Sequence, residues 1–180
     1  IDGDASSDQS GKSVSLSSDG SIVAIGARGF DPTGSSSGDD GNVRIYNYDG
    51  TSWNQLGQDI YGEYGGDLSG FSVSLSSNGN RIAISAVYND NNGSNNWHAG
   101  HVRIFDYNGN IWIQLGQDID GVSAGEESGH SISLSSNGDV IAIGSLLHNA
   151  SNGVNSGQVR IYNWDGLLWN QISEIDGEAA

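Results

Sequence analysis

The sequence contains no cysteine and no methionine, and it has a single proline among 180 residues. Without cysteine the chain forms no disulfide, holds no zinc through thiolates and has no thiol nucleophile. No stretch approaches the roughly 18 apolar residues that a membrane-spanning helix needs, so the sequence predicts no membrane insertion. A basic and apolar signal segment is also missing from the first residues of this sequence.

Basic residues are scarce. Six lysines and arginines stand against 22 aspartates and glutamates, which gives a formal net charge of −16. Proteins that bind nucleic-acid backbones need clustered basic side chains, and anionic membrane surfaces attract the same side chains. The sequence therefore predicts no nucleic-acid partner and a solvated acidic surface.

A long motif occurs three times in the chain. It starts as "SGKSVSLSSDGSIVAIGA" at Ser10 and returns at Ser69 and Ser128, at steps of 59 residues. This periodicity predicts three repeats, at residues 10–68, 69–127 and 128–174. Residues 1–9 are then the end of a preceding repeat or a linker, and residues 175–180, which read "IDGEAA", are the start of a further repeat.

Each repeat has the pattern of short strands. "SVSLS" alternates polar and apolar residues, "SDG" or "SNG" supplies a tight turn, and "IVAIGA" or its equivalent is a short apolar run. "VRIYNY" is a third strand, and a further Asp-Gly or Asn-Gly turn leads to a fourth. The sequence therefore predicts an all-β protein of three tandem four-stranded antiparallel blades, as in a β-propeller.

The order of "SGxSVS", "AIGA" and "GxVRIY" resembles the FG-GAP type of β-propeller repeat known from integrin α heads. The resemblance implies the propeller fold, and in calcium-binding members it implies an acidic loop between the first two strands. Here that loop is a short serine-rich turn around Asp19, Asn78 and Asn137. Since calcium needs six or more oxygen ligands, several of them charged, we predict plain hairpins, no metal site and no cofactor.

Two residue types occupy the same position in all three repeats. The arginines are Arg44, Arg103 and Arg160, and the tryptophans are Trp53, Trp112 and Trp169. We predict that both sets are structural residues between blades, with each guanidinium paired to a carboxylate such as Asp59 or Asp118. A row of arginines that grips acidic glycans or a partner is the alternative.

Three loop residues are further candidate sites, and one of them, Trp97, belongs to no position shared between the repeats. Trp97 lies in a polar loop and is a candidate for sugar stacking or an intersubunit contact. Asn92 and Asn149 open the N-x-S sequences "NGS" and "NAS" in equivalent loops, so both are candidate glycosylation sites.

The sequence offers no catalytic signature. No serine lies in a G-x-S-x-G elbow, and His98 and His101 are expected to face opposite sides of a strand. Glu63, Glu126 and Glu127 are expected to face solvent. The sequence therefore predicts that the protein is not an enzyme, although carboxylates brought together from different blades remain open.

Two functions are consistent with these sequence features. The first is a non-enzymatic extracellular structural protein whose repeats assemble head to tail, with further repeats or further copies, into a fibre, stalk or surface layer. It rests on the absence of a polar cap and on three blades being too few for a ring. The alternative is an adhesive module at the cell surface that binds glycans or a protein through its loops.

Overall fold

The computed structural model describes residues 1–32, 38–90, 97–151 and 153–178. These residues form fourteen strands, and every pairing between strands is antiparallel. No helix in this part of the chain is long and apolar enough to cross a membrane. The strands group into three sheets, one for each repeat.

Blade 1 is the sheet of the first repeat. Three full strands lie side by side, and two short strands lie end to end along the third. The strands are β1 (Ser10–Leu16), β2 (Ile22–Ala27), β3 (Asn42–Tyr48), β4 (Trp53–Gln55) and β5 (Ile60–Tyr61).

Blade 2 repeats this arrangement, with its fourth strand again in two pieces. The break in both blades occurs at a glycine with positive φ, Gly57 or Gly116, after which the chain returns to the sheet. The strands are β6 (Ser69–Leu75), β7 (Arg81–Ala86), β8 (His101–Tyr107), β9 (Trp112–Gln114) and β10 (Ile119–Asp120).

Blade 3 has an unbroken fourth strand. The third repeat carries "ISEID" where the second carries "LGQDID", so it is one residue shorter and lacks the glycine. Its strands are β11 (Ser128–Leu134), β12 (Val140–Ser145), β13 (Gln158–Trp164) and β14 (Trp169–Asp176).

The last residues of β14 revise the expected end of the third repeat. Ile175 pairs with Val159 and Asp176 pairs with Gln158, so both residues complete blade 3. They take the places that β5 and β10 occupy in the other two blades. The segment that begins with Ile175 therefore closes a blade, and the prediction that it starts a further repeat is wrong at these two residues.

The hydrophobic core lies between the sheets. One face of each blade packs against the opposite face of the next, because side chains alternate along each strand. Strands β2, β3 and β5 of blade 1 face β6 to β9 of blade 2, and a second core joins blade 2 to blade 3. The predicted fold class is confirmed: the chain is all-β, with three blade-like antiparallel sheets in tandem.

Candidate functional site

The chain has two blade seams, which are the surfaces where consecutive blades meet. At the first seam, the amide of Ser69 donates to the Asp40 carbonyl at 3.0 Å, and Ser13 Oγ donates to the Gly70 carbonyl at 2.8 Å. At the second seam, the amide of Ser128 donates to the Ala99 carbonyl at 2.9 Å. The Ser-Gly pairs that open the second and third repeats therefore dock against the preceding blade.

The repeated tryptophans lie at the seams wherever a preceding blade is present. Trp112 Nε1 donates to the Leu56 carbonyl at 2.8 Å, and Trp169 Nε1 donates to the Leu115 carbonyl at 3.0 Å. Both rings are buried, whereas Trp53 of blade 1 is exposed. At this position the tryptophan therefore forms an inter-blade hydrogen bond as well as a packing contact.

The repeated arginines of blades 2 and 3 donate to the last strand of the preceding blade. Arg103 donates to the Tyr61 carbonyl at 2.7 Å, and Arg160 donates to the Asp120 carbonyl at 3.1 Å. Arg44 pairs with Asp59 at 2.9 Å and with Asp4. Asp118, unlike its equivalent Asp59, makes no ion pair with the arginine of its blade within the described part of the chain.

The acid that pairs with the arginine changes position between repeats. Asp4 and Glu63 occupy equivalent positions and pair with the arginines of blades 1 and 2. Val122 stands at this position before blade 3, and Glu126 pairs with Arg160 at 3.1 Å instead.

Glu126 does not face solvent, which corrects the expectation from the sequence. It is 1 % exposed, and its carboxylate also accepts the amide of Val122 at 2.7 Å and lies 2.6 Å from His148 Nδ1. Asp8 and Asp67, its repeat equivalents, are buried as well. An acid recurs at this position in all three repeats, and this recurrence is the sequence signal from which a structural role could have been predicted.

Blade 1 presents an open apolar face. Val14 and Leu16 are 64 % and 59 % exposed, whereas Val73 and Leu75, their equivalents in blade 2, are each 7 % exposed. The equivalents in blade 2 are covered by blade 1. The face of blade 1 that carries Val14, Leu16 and Trp53 is called the front face below.

Blade 3 presents the complementary open face, called the back face below. It carries Val159 and Ile175, which are exposed, whereas the equivalent residues in blades 1 and 2 are buried in the seams. A groove of about 330 Å³ runs along it, lined by Ser131, Gly144 and Ser156 among others. The hydroxyls of Ser145 and Ser156 have no hydrogen-bond partner in the described ranges.

Trp97 lies in an aromatic stack at the surface. Its indole is 63 % exposed and stacks on His98 with ring centroids 3.7 Å apart, and His98 stacks on Tyr88 at 4.0 Å. The chain turns sharply here, since His98 has a φ of 53°. The three rings form one continuous aromatic platform.

The loop residues predicted to carry glycans are only partly described. Asn149 is exposed, and its side-chain oxygen accepts the amide of Asn155 at 2.8 Å. Asn92 lies outside the described residues.

The first hairpin of each repeat is a tight turn that is held by hydrogen bonds between its own polar groups. Asp19 Oδ1 accepts hydrogen bonds from Ser17 Oγ at 2.7 Å and from the amide of Ser21 at 2.9 Å. Asn78 and Asn137 accept the equivalent bonds in blades 2 and 3. These bonds lower the pKa of Asp19 to about 2.

A polar trio lies beside the first seam. His101 Nδ1 is 4.0 Å from Glu63 Oε2 and 4.0 Å from Asp118 Oδ2. Burial lowers the pKa of His101 to about 4, with a further contribution from Arg103, and Asp118 acts in the opposite direction. Burial raises the pKa of Glu63, and the neighbouring Asp118, Asp67 and Asp120 raise it further while Arg103 lowers it. Sequence reasoning missed this trio because its members come from three separate segments.

Neither a comparison with protein families nor one with curated protein sequences finds a match to this chain. Solved structures do match. A putative 6-phosphogluconolactonase from Bacteroides uniformis is 12 % identical, with a TM-score of 0.58, over 93 % of this chain and 41 % of its own. Saccharomyces cerevisiae Sqt1 is 14 % identical, with a TM-score of 0.56, over 96 % of this chain and 37 % of its own.

KlAtg21, in a complex with the coiled coil of AgAtg16, is 9 % identical, with a TM-score of 0.50, over 92 % of this chain and 57 % of its own. The chain therefore spans about two fifths of the length of the first two structures it matches. These similarities concern the fold alone: the three sheets match part of a β-propeller.

Proposed function

We propose that this protein is a non-enzymatic structural repeat protein whose blades continue head to tail, with the back face of one copy receiving the front face of the next. The observation that carries the proposal is the complementarity of the two open faces. Each face is the unfilled half of a seam that the chain builds twice within itself. A contact between two different faces repeats indefinitely unless the rotation closes a ring.

The polar groups of a third seam are already in place. In the first seam, Ser13 Oγ donates to the Gly70 carbonyl, and the Asp40 carbonyl accepts from Ser69. The repeat equivalents on the back face are Ser131 and the Ser156 carbonyl, both at the groove. The front face supplies Ser10 and Gly11, which are exposed. The Ser10-Gly11 pair of one copy thus fits the groove of another.

The exposed apolar side chains of the two open faces are also equivalent to side chains that pack together in the closed seams. In the closed seams, Ile60 packs with Val73 and Leu75, and Ile119 packs with Leu134 and Ile132. All of these are buried except Ile132, which is partly buried. Burial of an exposed leucine or isoleucine contributes about 1.5–3 kcal/mol, so the third seam gains the apolar energy of an existing one. Exposed apolar faces of this kind are typical of interaction surfaces.

The proposal includes an assignment to the FG-GAP type of repeat and an extracellular or cell-surface location. The serine and glycine of the "SGxSVS" motif are the residues that form the seam bonds, which supports the repeat assignment. The sequon at the exposed Asn149 supports the location. The assembly is then a fibre, a stalk or a surface layer.

The test uses two variants that each block one face. Leu16→Glu places a charge on the front face, and Ile175→Glu places one on the back face. Either variant alone is expected to remain monomeric, because each contact needs one intact face of each kind. An equimolar mixture is expected to form heterodimers and nothing larger, whereas the unmodified chain forms polymers. Analytical ultracentrifugation and electron microscopy measure all four samples.

Leu167→Glu is the matched control, since Leu167 is 74 % exposed and lies on the turn between β13 and β14, outside the lining of the groove. Its polymers are expected to equal those of the unmodified chain. An unmodified chain that remains monomeric at high concentration would overturn self-assembly, and the open faces would then be covered by other blades of a longer polypeptide.

The aromatic platform at Trp97 favours a second candidate function, an adhesive module that binds glycans. Exposed tryptophan faces stack on the C–H groups of sugar rings, and Tyr88 and His98 hold the Trp97 ring in place. A glycan array tests this candidate. Saturable binding that disappears in Trp97→Ala and persists in Tyr64→Ala, where the ring is also exposed, would support it.

A further inference from the structure

We propose that Glu63, His101 and Asp118 bind a divalent transition-metal ion, with Zn²⁺ as the representative, beside the seam between blades 1 and 2. Imidazole nitrogens and carboxylate oxygens are both zinc ligands in proteins. The proposal goes beyond head-to-tail assembly, since it concerns a seam within one chain.

The spacing of the three groups suits an ion between them. One ligand atom from each residue lies within 4.8 Å of the other two. The two distances from His101 Nδ1, each 4.0 Å, are too long for hydrogen bonds. Two tetrahedral ligands that each stand about 2.0–2.2 Å from an ion are about 3.4 Å apart. An ion would therefore draw the two carboxylates inward by a few tenths of an ångström or more.

His101 gives an observation that is independent of the acids. Its side chain is almost fully buried, and neither ring nitrogen forms a hydrogen bond within the part of the chain that the structure describes. A buried polar group without a partner costs free energy, so such groups normally have a ligand or water. The ring nitrogen of His101 faces the gap between the two carboxylates, where an ion would satisfy it.

The equivalent positions in the other blades form direct contacts that leave no gap. In blade 1, Asn42 stands in place of His101 and donates to Asp59 at 3.3 Å, while Arg44 bridges Asp4 and Asp59. The guanidinium there already supplies the positive charge. In blade 3, Gln158 bonds to Asp176, the equivalent of Asp120, at 2.8 Å, and Val122 stands in place of Glu63. Glu174, the equivalent of Asp118, accepts from Gln171 at 2.9 Å. Blade 2 departs from both patterns at the three proposed ligands.

The local charge also favours a cation. Glu63 feels the charges of Asp118, Asp67 and Asp120, and Arg103 is the guanidinium that opposes them there. Arg103 reaches Glu63 at 3.4 Å and turns its other nitrogen to the Tyr61 carbonyl, which leaves Asp118 unpaired with any arginine in the described ranges. A divalent ion would offset this repulsion.

The position of the site indicates what the ion does. Glu63 lies on the connection from blade 1 to blade 2, whereas His101 and Asp118 belong to blade 2. An ion bound by all three would fasten the connection to the second blade. Binding to the folded state alone raises stability by mass action, so zinc is expected to raise the melting temperature.

The experiment measures Zn²⁺ binding to the full chain by isothermal titration calorimetry and thermal melting, with Co²⁺ as a spectroscopic probe. We expect one ion per chain, and Co²⁺ absorption bands typical of nitrogen and oxygen ligands. His101→Asn, which restores the blade 1 residue, and Glu63→Gln are each expected to weaken binding at least tenfold. His98→Asn is the matched control and is expected to bind as the unmodified chain does.

Two results would overturn the proposal. One is a chain that binds no zinc at micromolar concentrations. The other is unchanged affinity in both His101→Asn and Glu63→Gln; loss in His98→Asn would then place the ion at the aromatic loop. Because histidine NMR signals report contact with Co²⁺ in the unmodified chain, the ligand assignment does not depend on the variants being folded.

Discussion

Trp112 Nε1 donates a hydrogen bond of 2.8 Å to the carbonyl of Leu56, so a side chain of blade 2 binds the backbone of blade 1 at the point where the fourth strand of blade 1 is broken. The break frees this carbonyl from the sheet, and the indole of the next blade satisfies it. The same pair recurs as Trp169 and Leu115. The break in the fourth strand therefore supplies the carbonyl that accepts the inter-blade hydrogen bond.

This relationship predicts the effect of Trp112→Phe. The variant keeps an aromatic ring in the seam but removes the donor, which leaves a buried carbonyl unpaired at a cost of about 2 kcal/mol in the free energy of unfolding. Urea denaturation measures the change. Trp53→Phe is the control, since Trp53 is exposed and makes no inter-blade bond in the described ranges; a change within about 0.5 kcal/mol is expected. Equal losses in both variants would contradict the role of the bond.

The sequence predicted the blades because repetition itself carries the information. Three copies of the same alternation and turns define the strands, and the shared position of Trp112 and its equivalents indicates a shared structural role. The polar network was not predictable in the same way. In blade 2 the arginine pairs with Glu63. In blade 3 the equivalent position holds Val122, and the arginine pairs instead with Glu126, the equivalent of Asp67. Only the folded seam shows that Glu63 and Glu126, which occupy different repeat positions, reach the same guanidinium position.

The trio of Glu63, His101 and Asp118 was hidden for a related reason. Its members are 38 and 17 residues apart in the sequence, and each comes from a different segment of the chain. The pairing of β10 with β8 brings Asp118 to His101, and the docking of the connection between blades brings Glu63. No local sequence pattern predicts that these three side chains lie close together.

The first hairpin of blade 1 predicts a specific acid dependence. Hydrogen bonds from the Ser21 amide and from Ser17 lower the pKa of Asp19 to about 2, below its ordinary value of about 4 in an unfolded chain. The stabilisation is therefore present above pH 4 and is lost as the pH falls through about 2. NMR titration of the Asp19 carboxyl measures the pKa directly.

Asp19→Asn is the matched variant, because Asn78 and Asn137 already fill this turn in the other blades. It is expected to keep the hairpin and to remove the acid-dependent part of its stability. An Asp19 carboxyl that titrates near pH 4 would contradict the hydrogen-bonded turn.

Asn149 predicts a modification. Its amide nitrogen belongs to an exposed side chain, and Ser151 completes the sequon. When the chain is secreted from a eukaryotic host, intact-mass measurement is expected to show a glycan that Asn149→Gln and Ser151→Ala both remove. Asn170→Gln, at an exposed asparagine outside any sequon, is expected to leave the glycan in place. A bare Asn149 in the secreted chain would remove this support for the proposed location.

Glu126 predicts the largest effect of a single polar substitution. Its carboxylate is the charged partner of Arg160, and both side chains are buried. Glu126→Gln leaves the guanidinium without that charge and is expected to lower the free energy of unfolding by about 3 kcal/mol. Glu127→Gln, one residue away and only partly buried, serves as the control and is expected to change stability by less than about 0.5 kcal/mol.

The repeat also predicts how the loss at Glu126 is repaired. Blade 2 holds its arginine with Glu63 while the shorter Asp67 occupies the position equivalent to Glu126. Glu126→Asp alone is therefore expected to destabilise the chain, because the shortened side chain withdraws from Arg160. Adding Val122→Glu restores an acid at the position equivalent to Glu63, and the double variant is expected to recover part of the lost stability in urea denaturation. If the two positions share the arginine, the double variant must be more stable than the sum of the two single effects predicts. A double variant less stable than Glu126→Asp alone would show that they do not share it.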